Sequence, residues 1–213
     1  MTVVLSAAAL LFAIIHIVAD HRRAWITTWW SKPATMLAII GLVVTGAEPM
    51  GLYTSLILAG LICSLVGDVF LMLRPMRFLA GLMAFFVAHV IYIAAFTSLA
   101  PPSAFAIGAV LLLAGGAIYA LLWPGLGRLW LPVMFYVLAI VTMVWSALSA
   151  WQSLDTMATA AAAGGALLFL VSDTSLGVAR FRFRYPGAQV VTLGTYYAGQ
   201  WLIALSAGRL AGA

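Results

Sequence analysis

Residues 103–122 read SAFAIGAVLLLAGGAIYALL, a run of twenty residues without a charged side chain. Crossing a hydrocarbon core of about 30 Å takes about 20 apolar residues in a helix. Similar runs fill most of the 213-residue chain, which is 66% apolar and only 7% charged, against about 25% charge in an ordinary soluble domain. We therefore expect an all-α membrane protein and exclude a water-soluble fold.

The breaks between the apolar runs predict how many helices there are. Charged residues, prolines and glycines interrupt the runs, and the chain is long enough for about eight spans joined by short loops. We expect a polytopic bundle of about eight transmembrane helices that forms a single domain over residues 1–213. The predicted helices are 2–19, 33–47, 51–73, 78–99, 103–122, 131–150, 156–178 and 188–210. The predicted turns include Asp20 to Lys32, Glu48-Pro49 and Pro124 to Arg128.

The basic residues are concentrated in alternate loops. Under the positive-inside rule these loops are cytoplasmic and both termini lie on the opposite side, in the inner membrane if the host is bacterial. Because the basic residues do not form one soluble face, the net charge of +5 predicts membrane lipids and no nucleic acid as partners. The oligomeric state is left open. The cytoplasmic set is Arg22, Arg23, Lys32, Arg74, Arg77, Arg128, Arg180, Arg182 and Arg184, and Arg209 lies on the other side.

Two aspartates lie inside predicted spans. Ionisable side chains near the bilayer centre cost at least about 2.5–3.5 kcal/mol each, so those that are present usually face the interior and mark function. Asp68 precedes Arg74 by six residues and Asp173 precedes Arg180 by seven. At 1.5 Å per residue, both carboxyls are about 9–11 Å inside the same face of the membrane. We predict that they share one cavity, unless each pairs separately with a loop arginine.

The aspartates also belong to a weak internal similarity. Residues 65–68, LVGD, match residues 170–173, LVSD, at an offset of 105, and the same offset carries Tyr92 onto Tyr197. Two four-helix halves in a parallel repeat would produce this pattern, and so would chance in such a biased composition.

Further polar side chains fall on helical faces near these aspartates. His89 and Tyr92 are three residues apart on the fourth span, and Tyr196 and Gln200 are four apart on the last. They either line the same cavity or make ordinary packing hydrogen bonds. Lys32 lies at the predicted start of the second span, where its ammonium either snorkels to the interface or reaches inward to a phosphate.

Several of these segments together resemble one known family. They are 32–37 (KPATML), 63–73 (CSLVGDVFLML), 78–82 (FLAGL) with Phe85, His89 and Tyr92, Ser172-Asp173, and 195–197 (TYY) with Gln200. Over about residues 32–200 the chain resembles the YhhN family of membrane lysoplasmalogenases. The resemblance implies hydrolysis of the vinyl ether bond of a lysoplasmalogen, a lysophospholipid, to a fatty aldehyde and glycerophosphoethanolamine or glycerophosphocholine.

The residues fit this implied chemistry. A vinyl ether resists bases and nucleophiles but is protonated at its β-carbon, which gives an oxocarbenium ion that water captures. As in glycosidases, one carboxyl would donate the proton while an ionised carboxylate stabilises the cation and orients water. Asp68 and Asp173 are therefore the predicted catalytic residues, with interchangeable roles. The predicted substrate-binding residues are Lys32, at the phosphate, and His89, Tyr92, Tyr196 and Gln200, at water or the glycerol hydroxyl.

Two other functions stay open from the sequence. A proton-coupled transporter of lipids or small molecules would also use buried aspartates. A metal-dependent hydrolase could use His89 together with the two aspartates, but a single histidine is a thin donor set for zinc. We therefore expect neither a metal nor another cofactor.

Overall fold

The computed structural model describes residues 1–46, 50–73, 75–103 and 105–208. This part of the chain contains eight α-helices, one short 3-10 helix and no strand. The α-helices are α1 (Thr2–His21), α2 (Trp25–Gly46), α3 (Leu52–Met72), α4 (Phe78–Leu99), α5 (Phe105–Leu126), α6 (Trp130–Leu154), α7 (Met157–Phe181) and α8 (Ala188–Ala207). The prediction of an all-α bundle of about eight helices is confirmed.

The largest departure from the predicted boundaries is at the start of α2. The sequence predicted a turn up to Lys32, but α2 begins at Trp25, so Lys32 lies inside the helix and not in the first loop. Polar side chains here bond to the helix itself, as where Ser31 Oγ donates to the Thr27 carbonyl at 2.6 Å. Pro33 lies within the helix, a position that membrane helices tolerate because neighbouring groups satisfy the freed backbone.

The predicted turn from Pro124 to Arg128 is also wrong in part. Helix α5 continues through Pro124 to Leu126, and a 3-10 turn then leads directly into α6. The chain therefore stays helical where proline and glycine suggested a break. The turn at Glu48-Pro49, the residues Arg74 and Arg209, and the predicted helix ends at 47 and 210 lie outside the described residues.

Length and hydropathy mark the bundle as a membrane domain. Five described segments are long and apolar enough to span a membrane, namely α1, α3, α4, the run Phe105–Leu154 and α7. Large apolar side chains cover the outer surface, where Val3 and Leu113 are each 76% exposed. Such a surface is unfavourable in water and favourable against lipid. The chain is an integral, multi-pass membrane protein.

Helices α7 and α8 pack closely through two glycines. A Cβ on Gly165 would lie 2.7 Å from the Gly199 carbonyl oxygen, and a Cβ on Gly199 would lie 2.8 Å from the Gly165 carbonyl oxygen. Small residues at a crossing allow two membrane helices to approach this closely. The contact holds α8, which carries Tyr196, against α7, which carries Asp173.

We expect Gly199→Ala to lower the melting temperature of the purified protein. The added methyl group has to displace backbone atoms of α7, and overpacking of this kind costs about 1–3 kcal/mol. Gly194→Ala in the same helix is the matched control, because a Cβ there meets nothing within 4 Å. Thermal unfolding in detergent measures both variants, and equal melting temperatures would contradict the tight crossing.

Candidate active site

A polar cavity of about 470 Å³ lies among α1–α4, α7 and α8. Asp68 and Asp173 both line it, so the prediction that they share a cavity is confirmed. Lys32 and Tyr196 lie on the same wall. The structure thus brings four of the predicted site residues together from α2, α3, α7 and α8.

Asp68 is held by an ammonium and a phenol. Lys32 Nζ lies 2.9 Å from Asp68 Oδ1, and Tyr196 OH donates to Asp68 Oδ2 at 2.7 Å. The pair is enclosed, because the Lys32 side chain is 10% exposed and that of Asp68 only 2%. A positive charge at this distance stabilises the ionised carboxylate. Lys32 therefore points inward to Asp68, which contradicts the alternative that it snorkels to the interface, and its contact with a phosphate stays a prediction.

Asp173 has different surroundings. Tyr136 OH donates to Asp173 Oδ2 at 2.5 Å, whereas His89 Nε2 lies 3.8 Å from the same oxygen, beyond hydrogen-bond range. The fully buried His89 ring packs on the rings of Tyr136 and Phe169, at centroid distances of 5.0 and 4.8 Å. Among the described residues, no lysine or arginine forms an ion pair with Asp173. The loop-arginine alternative thus receives no support from either aspartate in this part of the chain.

The partners of the two aspartates come from corresponding helices. Asp68 on α3 contacts side chains of α2 and α8, and Asp173 on α7 contacts side chains of α6 and α4. Exchanging the first four helices for the last four converts the first set into the second. This correspondence supports the parallel repeat, which stays a prediction. It also shows how the two halves differ. The α2 partner of Asp68 is a lysine, Lys32, whereas the α6 partner of Asp173 is a tyrosine, Tyr136.

Two predicted site residues pair with each other. Tyr92 OH donates to Gln200 Oε1 at 2.8 Å, and both side chains are fully buried between α4 and α8. The described wall of the cavity contains neither of them, nor His89, which lies behind Asp173. Their binding of water or the glycerol hydroxyl stays a prediction, and the geometry gives them packing contacts instead.

Two residues near the aspartates, Tyr136 and His16, were not predicted from the sequence. Tyr136 is one aromatic residue among many in an apolar span, although the repeat offset of 105 carries Lys32 to position 137, beside it. This offset was the one signal in the sequence that pointed toward Tyr136. His16 lines the cavity, and its Nδ1 lies 3.1 Å from Ser31 Oγ.

The alternative metal site is not assembled in this arrangement. Within the described ranges, no three His, Cys, Asp or Glu side chains are placed to hold a metal ion. Asp68 is instead engaged by Lys32 and Tyr196, and in the described chain no third His, Cys, Asp or Glu joins His89 and Asp173.

Two more cavities adjoin the polar one. A cavity of about 350 Å³ shares Arg180 and Asp20 with it and also contains His21 and Arg184. A narrow apolar pocket of about 50 Å³ meets the polar cavity at Asp173. The polar cavity that holds the two carboxylates therefore adjoins both a cavity with several basic side chains and an apolar pocket.

Together, the helix bundle and its interior define a polytopic membrane protein with an enclosed two-carboxylate site. Asp68 and Asp173 are its central groups, and the contacts around them join six helices of one chain. The YhhN family model matches residues 27–207, so the chain belongs to the YhhN family.

Two mammalian relatives carry an enzymatic name, and a bacterial relative matches over a longer stretch. Lysoplasmalogenase TMEM86A of Bos taurus is 36% identical over 156 residues, which cover 71% of this chain and 64% of that protein. Lysoplasmalogenase TMEM86B of Homo sapiens is 38% identical over 165 residues, which cover 76% of this chain and 67% of that protein. The membrane protein YhhN of Escherichia coli O157:H7 is 31% identical over 201 residues, covering 93% of this chain and 96% of that protein.

The length of the match differs between these relatives. The chain matches slightly less than two thirds of the bovine protein, at 64%, but nearly all of the bacterial one, at 96%. No solved structure matches the chain.

Proposed function

We propose that this protein hydrolyses the vinyl ether bond of lysoplasmalogens to a fatty aldehyde and glycerophosphoethanolamine or glycerophosphocholine. One observation carries the proposal: Asp68 and Asp173 line one cavity, and in the described chain only Asp68 has a lysine as its ion-pair partner. The reaction needs an acid and an anion, and this asymmetry can supply both. The names of the mammalian relatives point to the same activity.

Asp173 is the proposed general acid. It has no lysine or arginine partner among the described residues, and an unpaired buried charge is costly, so this carboxyl is suited to arrive protonated. Tyr136 donates to Oδ2, which leaves Oδ1 to carry the proton. That proton goes to the β-carbon of the vinyl ether. The electrons of the double bond form the new C–H bond and leave an oxocarbenium ion.

Asp68 is the proposed anion. Lys32 favours its ionised form, and Tyr196 fixes its second oxygen. A preorganised carboxylate in an enclosed site stabilises a cation that develops beside it. Asp173, now deprotonated, accepts a proton from the water that attacks the oxocarbenium carbon. The resulting hemiacetal loses its hydroxyl proton, its bond to the glycerol oxygen breaks, that oxygen is protonated, and the aldehyde leaves.

Aldehyde release by the purified protein tests the proposal. Lysoplasmenylethanolamine is incubated with the protein in detergent, and mass spectrometry measures aldehyde and glycerophosphoethanolamine, which should form in equal amounts. The saturated alkyl ether analogue is the matched control, because it has no double bond to protonate. Failure to release aldehyde would refute the proposal. The transporter alternative instead requires lipid movement across a vesicle membrane without bond cleavage.

We expect Tyr136→Phe to lower kcat about 10–100-fold. A hydrogen bond to the carboxylate that forms when Asp173 gives up its proton contributes roughly 1.5–3 kcal/mol, and without the phenol the proton can occupy either oxygen beforehand. Tyr119→Phe is the control, because Tyr119 OH donates to the Trp130 carbonyl at 3.0 Å in an exposed position. Steady-state kinetics of aldehyde release measure both variants, and an unchanged kcat in Tyr136→Phe would exclude this role.

We also propose that the loops after α1, α3, α5 and α7 face the cytoplasm, with both termini on the opposite side. Lys32 no longer counts toward these loops, but the remaining loop arginines keep the same bias. They are Arg22, Arg23, Arg77, Arg128, Arg182 and Arg184 in the described chain.

Single-cysteine labelling should detect this topology. In a Cys63→Ala background, a cysteine at Arg182 should react with an impermeant reagent from the cytoplasmic side, and one at Ser153 from the other side. Both positions are exposed and lie near opposite ends of α7. Labelling of both from one side would contradict the topology.

A further inference from the structure

We propose that the apolar pocket beside Asp173 binds the hydrocarbon chain of the substrate. The inference rests on the proposed function, in which the substrate joins a hydrocarbon chain to a glycerophosphate through the reacting bond. The pocket lies among α4, α5, α6 and α7, and Asp173 is the one charged side chain on its described wall. Its apolar lining includes Leu82, Ile118, Leu122, Val133, Val137 and Ile140.

Asp173 stands where the apolar pocket meets the polar cavity. The two spaces share Phe78, Phe85, Leu71 and Leu176 besides Asp173. A vinyl ether is likewise the point where the polar and apolar parts of the lipid meet. Its β-carbon, which receives the proton, is on the hydrocarbon side. A chain that enters this pocket therefore carries the β-carbon past the carboxyl that is proposed to protonate it.

Arginines that adjoin the polar cavity fit the phosphate end of the lipid. Arg180 lines the polar cavity and the cavity beside it, Arg184 lines the latter, and guanidinium groups suit phosphate oxygens. The site thus offers arginines to the phosphate, carboxylates to the vinyl ether and an apolar pocket to the hydrocarbon chain.

The packing of α5 leaves a path from the pocket to the bilayer for the hydrocarbon chain of the substrate. Helix α5 packs against α6 and α7, while Leu82 of α4 and Ile118 of α5 face the pocket from two sides. At about 50 Å³ the pocket is narrow. The first carbons of the hydrocarbon chain fill the pocket, and the rest of the hydrocarbon chain continues between α4 and α5 into the bilayer.

A second apolar groove is the competing location. It lies along α1, α2 and α8, has a volume of about 790 Å³ and includes Trp201 and Tyr197. It is larger, but its described lining shares no residue with the polar cavity. A chain in that groove would not bring its first carbons to Asp173.

Photocrosslinking separates the two locations. The probe is a saturated alkyl ether lysophosphatidylethanolamine with a diazirine a few carbons from the ether oxygen, which binds without being cleaved. With the full-length protein in detergent, we expect the label in the α5 and α6 peptides that contain Ile118 and Val137. Label confined to α1, α2 or α8 would overturn the proposal.

A blocking substitution gives the matched comparison. Ile118→Trp should reduce labelling about tenfold, the affinity lost when burial of about two methylene groups is prevented. Leu113→Trp on the lipid-facing side of the same helix should label like the wild type, because Leu113 is 76% exposed. Undiminished α5 and α6 labelling in Ile118→Trp would also overturn the proposal. Because labelling needs no cleavage, a labelled pocket without aldehyde release from the vinyl ether would refute only the proposed function.

Discussion

Replacing Asp173 with asparagine should reduce kcat for lysoplasmalogen hydrolysis by at least about 10²–10⁴-fold. The amide oxygen can still accept the hydrogen bond from Tyr136, so the fold should survive. The transferable proton, however, is lost. Asp68→Asn should reduce kcat over the same range for a different reason, because it removes the negative charge opposite the developing cation. Single-turnover aldehyde release measures both effects.

Asp155→Asn is the matched control for these two variants. Asp155 is exposed in the turn between α6 and α7 at a φ of 46°, a conformation that asparagine adopts readily. Its kcat should be unchanged. The double variant of Asp68 and Asp173 should be hardly worse than the more damaged single one, because partners in one step are not additive. Near-normal kcat in either single variant with correct membrane insertion would rule out the two-carboxylate mechanism.

The proton that Asp173 donates should also be visible in a solvent isotope experiment. We expect the transfer of this proton to carbon to limit the rate. A deuteron is transferred more slowly than a proton, so wild-type hydrolysis should be slower in D₂O across the whole pH profile. The product aldehyde should carry one deuterium on its second carbon, as mass spectrometry can determine. An aldehyde without that deuterium would contradict protonation at the β-carbon.

Lys32→Met should lower kcat and destabilise the protein together. The variant leaves Asp68 with Tyr196 as its remaining partner on this side, and removing one member of a buried ion pair costs about 3–5 kcal/mol. The carboxylate that should face the cation is then no longer held in its ionised form. Thermal unfolding measures the stability, and steady-state kinetics measure the rate.

The double variant Lys32→Met with Asp68→Asn separates the two consequences. It removes both charges, so much of the lost stability should return while activity stays low. A single Lys32→Met variant with normal kcat and a raised KM would instead support the phosphate contact predicted from the sequence, because only uniform substrate binding would have been lost.

The sequence by itself determined the helical membrane fold and the two aspartates. Apolar runs of about 20 residues have few solutions other than membrane helices. A carboxylate inside such a run is costly in lipid, so Asp68 and Asp173 stand out without any knowledge of contacts. Their shared cavity also followed, because the helical rise places both at one depth.

The tertiary structure alone decided what each aspartate contacts. Helix α2 begins at Trp25 and not after Lys32, as the sequence had predicted. Lys32 therefore lies within the helix, from which its side chain reaches Asp68. Tyr136 reaches Asp173 from a distant helix. In a membrane both the lipid-facing and the interior sides of a helix are apolar, so the sequence pattern does not reveal how each helix is rotated. That rotation, set by packing between helices, distinguishes the lysine-paired aspartate from the tyrosine-bonded one.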